Sequence, residues 1–337
     1  MENGKVFNWR TFIQIGIGSL LGIVAIYFAF RGVSVSQLWM TLRQANPWLT
    51  LIAFIVALIN VAVFTIRWWV MLLLDWRIGE YFSMLAGVYL GQMLNILLPA
   101  RLGELARIYF VGERVRVSKS KLLGTVVIEK VADMVSFGVS ALLLILMISL
   151  PKWVFEPGQV LMGMAAASLL GIIVIMIWGQ KLLHWLHPGM EKFLGRWGQR
   201  LAAMVEQALS GLDSLRSWRR QAAIWACSFL VVILSTLTNY FLMLALDIQA
   251  PFSAALFVLV VLQVGSAPPS APGKLGVYHY LAMLALSVFA VEKDVSLAYG
   301  VLLYIVALLS KVVIGVFVLF VTRWRIPIFV IQPESDA

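Results

Sequence analysis

At 337 residues, 62% hydrophobic and 12% charged, with a mean hydropathy of +0.94, the chain is far more apolar than a soluble domain, which runs at about 45–50% apolar and about 25% charged. That balance excludes a protein folded in water and implies a polytopic membrane protein. The net charge of +10 then reports which loops face the cytoplasm rather than an affinity for nucleic acid. A single cysteine, Cys227, excludes an intrachain disulfide or a Cys-based metal cage, and His184, His187 and His279 are too few and too scattered for a metal site, so no metal or cofactor is expected.

In chain order, the first apolar run is Phe12 to Phe30. It lacks a short signal-peptide core and a small-residue cleavage site before Arg31, and reads as a retained helix. A loop without Asp or Glu follows, and a second helix covers Trp48 to Leu74, with Arg67 placed to snorkel to the headgroups beside Trp68 and Trp69. Next comes an interrupted element: an apolar arm from Tyr81 to Leu98, the break PARLG at Pro99 to Gly103, and a second arm from Leu102 to Val111. Proline removes a helical donor and glycine admits backbone angles other residues avoid, so the helix stops there. The second arm is about half as long as a crossing requires, which favours a re-entrant hairpin over 81–111.

A basic segment ending at Lys121 leads into a third helix, Leu122 to Leu150, which carries Glu129, Lys130 and Asp133. A fourth helix covers Val160 to Trp178. Residues 181–220 then place Met190, Phe193, Leu194, Trp197, Leu201, Met204 and Val205 at helical spacing opposite a basic face. Such a segment lies along the membrane surface or, equally well, caps the bundle. A fifth helix, Ala222 to Leu246, precedes a second broken element over 252–290, whose tip reads PPSAPGKLG. A sixth helix, Val295 to Thr322, holds Lys311 near its middle.

The two breaks, PARLG and PGKLG, share the pattern Pro, any residue, cation, Leu, Gly, 173 residues apart, and helices three and six start at the same offset. The expected fold is therefore all-α, with a first repeat over 1–150 and a second over 151–337, each ordered helix, helix, hairpin, helix. That gives six full spans and two re-entrant hairpins. Three crossings per repeat is an odd number, so the repeats are inverted and the hairpin tips approach near the midplane. With both termini in the cytoplasm, 18 Lys and Arg fall on cytoplasmic segments and 4 on outer loops. The positive-inside rule favours that layout in the inner or plasma membrane.

This topology leaves Arg101, Lys130, Lys274 and Lys311 at membrane depth against Glu104, Glu129 and Asp133. Charges there are costly and mark a pathway or a pair. Arg101 and Lys274 stand at the two tips, each followed by a short helix with free N-terminal amides, an arrangement suited to cradling a phosphate. The backbone of the cradle would be Pro99 and Gly103 on one side and Pro272, Gly273 and Gly276 on the other. The plainer alternative is that Arg101 pairs with Glu104, Lys130 pairs with its neighbours, and Lys274 snorkels. His279 reads as a packed helix residue beside Tyr278 and Tyr280 rather than a proton carrier.

The blocks NILLPARLGELAR, GTVVIEKVADM and APPSAPGKLGVYHY resemble the lysylphosphatidylglycerol synthase transmembrane (flippase-like) family over nearly the whole chain. The resemblance implies a membrane protein that handles lipid, and it adds Asn95 and Arg107, in the first block, to the candidate substrate-binding residues. In bifunctional relatives a separate soluble domain carries the synthase. A chain ending at Ala337 is expected to be a stand-alone member without that activity. After the second break, Tyr278 and His279 stand where the family pattern has an acidic residue.

Three functions follow as expectations. The first is a flippase or transporter passing a phosphate-bearing phospholipid or polyprenyl-phosphate headgroup between the tips; no GxxxxGK[ST] loop is present to couple it to ATP. The second is a membrane glycosyltransferase using lipid-linked sugar, for which only Asp247, Glu292 and Asp294 offer outer-face acids. The third is a non-transporting partner that binds lipid and presents the basic segment Lys181 to Arg220 to a cytoplasmic enzyme; the expected protein partners are that enzyme or further copies of the chain in a homo-oligomer. No catalytic residue is assigned, and an enzyme is not expected.

Overall fold

The computed structural model describes residues 24–25, 27–72, 77–98, 102–148, parts of 156–185, 196–210, 215, 217–265 and 272–324. Most of the first expected helix, Pro99, Arg101, much of the fourth helix and residues 186–195 lie outside the described residues. Among the described residues ten helices position the site: α1 (Val35–Gln44), α2 (Pro47–Leu72), α3 (Ile78–Leu97), α4 (Leu102–Val115), α5 (Lys119–Met147), α6 (Arg196–Ser210), α7 (Trp218–Ala245), α8 (Phe252–Gly265), α9 (Val277–Ser287) and α10 (Lys293–Thr322). No strand occurs among the described residues. The fold is an all-α membrane bundle, as the composition required.

Four helices, α2, α5, α7 and α10, are long and apolar enough to cross a bilayer. At a rise of about 1.5 Å per residue, 26 to 30 residues exceed the hydrocarbon thickness of about 30 Å. Their bounds match the sequence reading within a few residues. Helix α5 starts three residues earlier than expected because Ser118 caps it, its hydroxyl accepting from the Lys121 amide.

The scaffold is an antiparallel pair, α2 on α7. At one end the Asn46 amide donates to the Ala245 carbonyl at 2.8 Å; midway, the Asn60 amide group donates to the Val231 carbonyl at 2.8 Å and to Ser235 Oγ at 2.9 Å; nearer the other end Arg67 reaches Ser228 Oγ at 3.1 Å. Polar side chains this deep are kept because each finds a partner on the facing helix.

Each broken element is a hairpin of two short helices. In the first, α3 and α4 run antiparallel so closely that a Cβ on Gly103 would fall 2.0 Å from the Gly91 carbonyl oxygen and 2.7 Å from the Asn95 amide nitrogen. Only glycine fits. In the second, α8 and α9 are matched by Gly265 against Leu281 and by Phe257 edge-on to Phe289 at 5.7 Å. The hairpins cross-pack: α3 lies on the C-terminal part of α10, and α8 lies on α5. The tip of the second, Pro272–Lys274, rests on Ile96 at the end of α3.

At one end of the bundle, Glu113 in the last turn of α4 accepts from Trp324 Nε1 at 3.0 Å, and Ser118 bonds Gln207 at 2.6 Å. At the opposite end, beyond the second hairpin, Lys293 bonds the Arg31 carbonyl. Helix α6 packs on α5, where a Cβ on Gly124 would lie 2.1 Å from the Ala208 carbonyl oxygen. Of the two readings of the amphipathic segment, this part of it caps the bundle.

A candidate lipid-headgroup cavity between the hairpins

Where the hairpins and the four long helices meet there is a cavity of about 740 Å³. It lies midway along the bundle, bounded by Asn60 of α2, Glu129 and Asp133 of α5, Asn239 of α7 and Lys311 of α10. Of the residues singled out from sequence, Asn95, Gly103, Glu104, Arg107, Glu129, Lys130, Asp133, Gly273, Lys274 and Lys311 all line this one space. Gly276, the buried cap of α9, is not among the lining residues, while Pro99 and Arg101 lie outside the described residues.

The charges are paired. Arg107 is 4% exposed, and its two terminal nitrogens bond the Glu129 carboxylate at 3.0 and 3.1 Å. Its guanidinium also stacks over Trp68 at 4.4 Å. The two-point fork satisfies both carboxylate oxygens, so the pair survives burial. Beside it Arg67 donates to Asp133 at 2.7 Å with its guanidinium over the Phe64 ring at 4.8 Å. The third pair, Lys130 with Glu104 at 2.7 Å, faces the cavity and is half-exposed; Lys130 also approaches Glu129 at 3.6 Å. All three carboxylates of the cavity are thus matched by a cation. Lys311 has no carboxylate within 4 Å among the described residues.

The expectation for Arg67 is corrected. Far from snorkelling, it is 1% exposed and neutralises Asp133, because α2 packs against both α5 and α7, which turns that face of α2 inward. Glu104 is held by Lys130 of α5, so this ion pair ties the first hairpin to a long helix. Lys274 lines the cavity rather than reaching away from it. Three positive φ angles, +69° at Gly273, +56° at Lys274 and +80° at Gly276, turn the second tip back on itself. Glycine takes that conformation freely, whereas at Lys274 it carries strain, held by the surrounding contacts. His279 is a packed residue as expected, buried beside the Tyr304 ring at 5.1 Å.

Sequence reasoning passed over Asn60, Gln92, Asn239, Tyr304 and Ser310, which also line the cavity. Their signal was present as polar side chains inside otherwise apolar runs. Gln92 Oε1 and Asn95 Oδ1 are buried without a hydrogen-bond partner. Among the described residues no cluster of three or more His, Cys, Asp or Glu could hold a metal ion.

The fold and the cavity define an integral membrane protein with a charge-lined chamber between two broken helical hairpins. The chain belongs to the family described as the lysylphosphatidylglycerol synthase TM region, whose model matches residues 14–322. It is similar to a UPF0104 membrane protein of Methanothermobacter thermautotrophicus, 26% identical over 298 residues that cover 83% of this chain and 87% of the relative. A second UPF0104 membrane protein, from Methanocaldococcus jannaschii, is 23% identical over 236 residues, 70% of this chain and 96% of the relative. No solved structure matches the chain.

Proposed function

We propose that the protein binds the phosphate of an anionic membrane lipid in this cavity and carries the headgroup across the membrane. One observation carries the reading: the cavity's carboxylates are all matched by Arg67, Arg107 and Lys130, and Lys311 remains facing the space as a cation with no carboxylate partner among the described residues. A charge at membrane depth is kept for a function or a partner. A lipid phosphate supplies the partner while its tails stay in the bilayer. The family's description, which refers to phosphatidylglycerol, supports a lipid ligand.

The transport reading draws on the repeat. Helices α2 and α7, equivalent at an offset close to the 173 residues that separate the two breaks, pack antiparallel, and each hairpin's first arm packs on the long helix of the other half. Both features fit repeats related by a two-fold axis in the membrane plane. On this reading the hairpins are re-entrant from opposite faces, the end holding Arg114 and Lys119 is cytoplasmic, both termini are inside the plasma membrane, and the chain performs no covalent chemistry.

The test is reconstitution of the purified protein into liposomes with fluorescent phosphatidylglycerol, followed by quenching of outer-leaflet label. The wild type should expose inner-leaflet label to the quencher. Lys311→Gln should weaken lipid binding by one charge-assisted contact, roughly 1.5–3 kcal/mol or about 10- to 150-fold. Lipid movement no faster than in protein-free liposomes would refute transport.

A further inference from the structure

Helix α10 contains the one π-helical turn found among the described residues, Leu309–Val313, and Lys311 stands at its centre. A π turn fits one more residue than the α ladder allows, with poorer hydrogen bonds, and such turns recur at functional sites. This one lies between two fixed points. On its N-terminal side Gly300 packs against the second hairpin, where a Cβ would meet the His279 Cα and carbonyl oxygen at 3.3 Å. On its C-terminal side Gly315 packs against the first hairpin, where a Cβ would lie 2.6 Å from Met93 Cβ. The two glycine contacts fix the rotation of α10 at both ends, so the extra residue between them decides which way position 311 faces. Ser310 and Lys311 line the cavity, while Val313 is 56% exposed on the outside of the helix.

The cavity also discriminates by charge. An ammonium group entering it would find Glu104, Glu129 and Asp133 already engaged by Lys130, Arg107 and Arg67. A phosphate without a neighbouring ammonium meets Lys311 directly, whereas a zwitterionic headgroup brings its own cation to compete. We infer that the π turn is a positioning element that presents Lys311 to the headgroup phosphate, and that it thereby selects lipids of net negative headgroup over zwitterionic ones. The inference rests on the reading that the cavity takes a phosphate-bearing lipid.

The experiment measures binding of dioctanoyl phosphatidylglycerol and dioctanoyl phosphatidylcholine to the full chain in detergent. The proteins compared are wild type, Lys311→Arg, Lys311→Met and a variant lacking Val313, which removes the extra residue. Wild type should prefer the anionic lipid by about tenfold, the size of one charge-assisted contact. Lys311→Arg should keep most of that preference and Lys311→Met should lose it. The deletion variant should lose it too, with its melting temperature retained. A second measurement covers the case in which the deletion does not fold: in the wild type, amide exchange across residues 305–318 should slow on adding the anionic lipid and not the zwitterionic one. A folded deletion variant that keeps the preference, or exchange that the anionic lipid leaves unchanged, overturns the positioning role while leaving lipid binding intact. Equal binding of both lipids by the wild type overturns the selectivity alone. A wild type that binds neither lipid overturns the underlying headgroup reading together with the inference.

Discussion

Separating Arg107 from Glu129 is the sharpest test of the cavity's architecture. The pair is 5% and 1% exposed at the side chains, bonded at 3.0 and 3.1 Å, with the guanidinium stacked on Trp68. Glu129→Leu leaves Arg107 a buried charge held against the ring faces of Trp68 and Phe64. Stranding one partner of such a pair costs about 3–5 kcal/mol. Arg107→Met strands Glu129, but Lys130 at 3.6 Å can turn toward it, so this loss should fall at the low end of that range. Replacing both at once removes the stranded charge and fills the space with side chains of similar volume, so most of the loss should return. The assay is a denaturant titration in mixed micelles on the two single variants and the double. A cost below about 1 kcal/mol for either single substitution would refute the buried pairing, as would a double variant as unstable as the two losses added.

Glu104→Gln should cost only about 0.5–1 kcal/mol in the same titration, because the Lys130 bridge is half-exposed to the cavity. A larger loss would mean that this bridge holds the first hairpin in place. Gly103→Ala should be far more damaging than Gly79→Ala, by at least about 2 kcal/mol: its Cβ meets the Gly91 backbone at 2.0 Å, whereas nothing lies within 4 Å of a Cβ at Gly79. Comparable melting temperatures for the two variants would refute the close approach of α3 and α4. Gly276→Ala, at φ +80°, should lower stability by about 1–2 kcal/mol, because an L side chain is strained at that backbone angle. For topology, single cysteines in a Cys227→Ser background at positions 119 and 200 should resist an impermeant thiol reagent in intact cells, while those at 37, 152 and 293 should react; labelling at 119 from outside would refute the proposed orientation.

Much of this protein was legible one residue at a time. The hydropathy of the long runs placed α2, α5, α7 and α10 within a few residues, since a membrane span must satisfy its own backbone and so announces itself as an uninterrupted apolar stretch. The two PxxLG breaks were equally plain, because proline and glycine act on the backbone locally. Charges inside apolar runs pointed to the cavity for the same reason: Glu104, Lys130, Lys274 and Lys311 have no cheap place in lipid. What sequence could not decide was pairing. Arg67 sat near a helix end, where snorkelling is the ordinary outcome, and only the packing of α2 against both α5 and α7 brought it to Asp133 and Ser228. Glu129 and Asp133 share one helix face, yet they are neutralised by arginines 22 and 66 residues away in the chain, on two different helices. The π turn at Lys311 left no mark in the sequence, because its residues are ordinary helix formers and its register is fixed by glycine contacts to two separate hairpins. Which residues lie at membrane depth follows from the cost of burying each one. Which of them meet depends on distances between helices remote in the chain, and these only the tertiary structure sets.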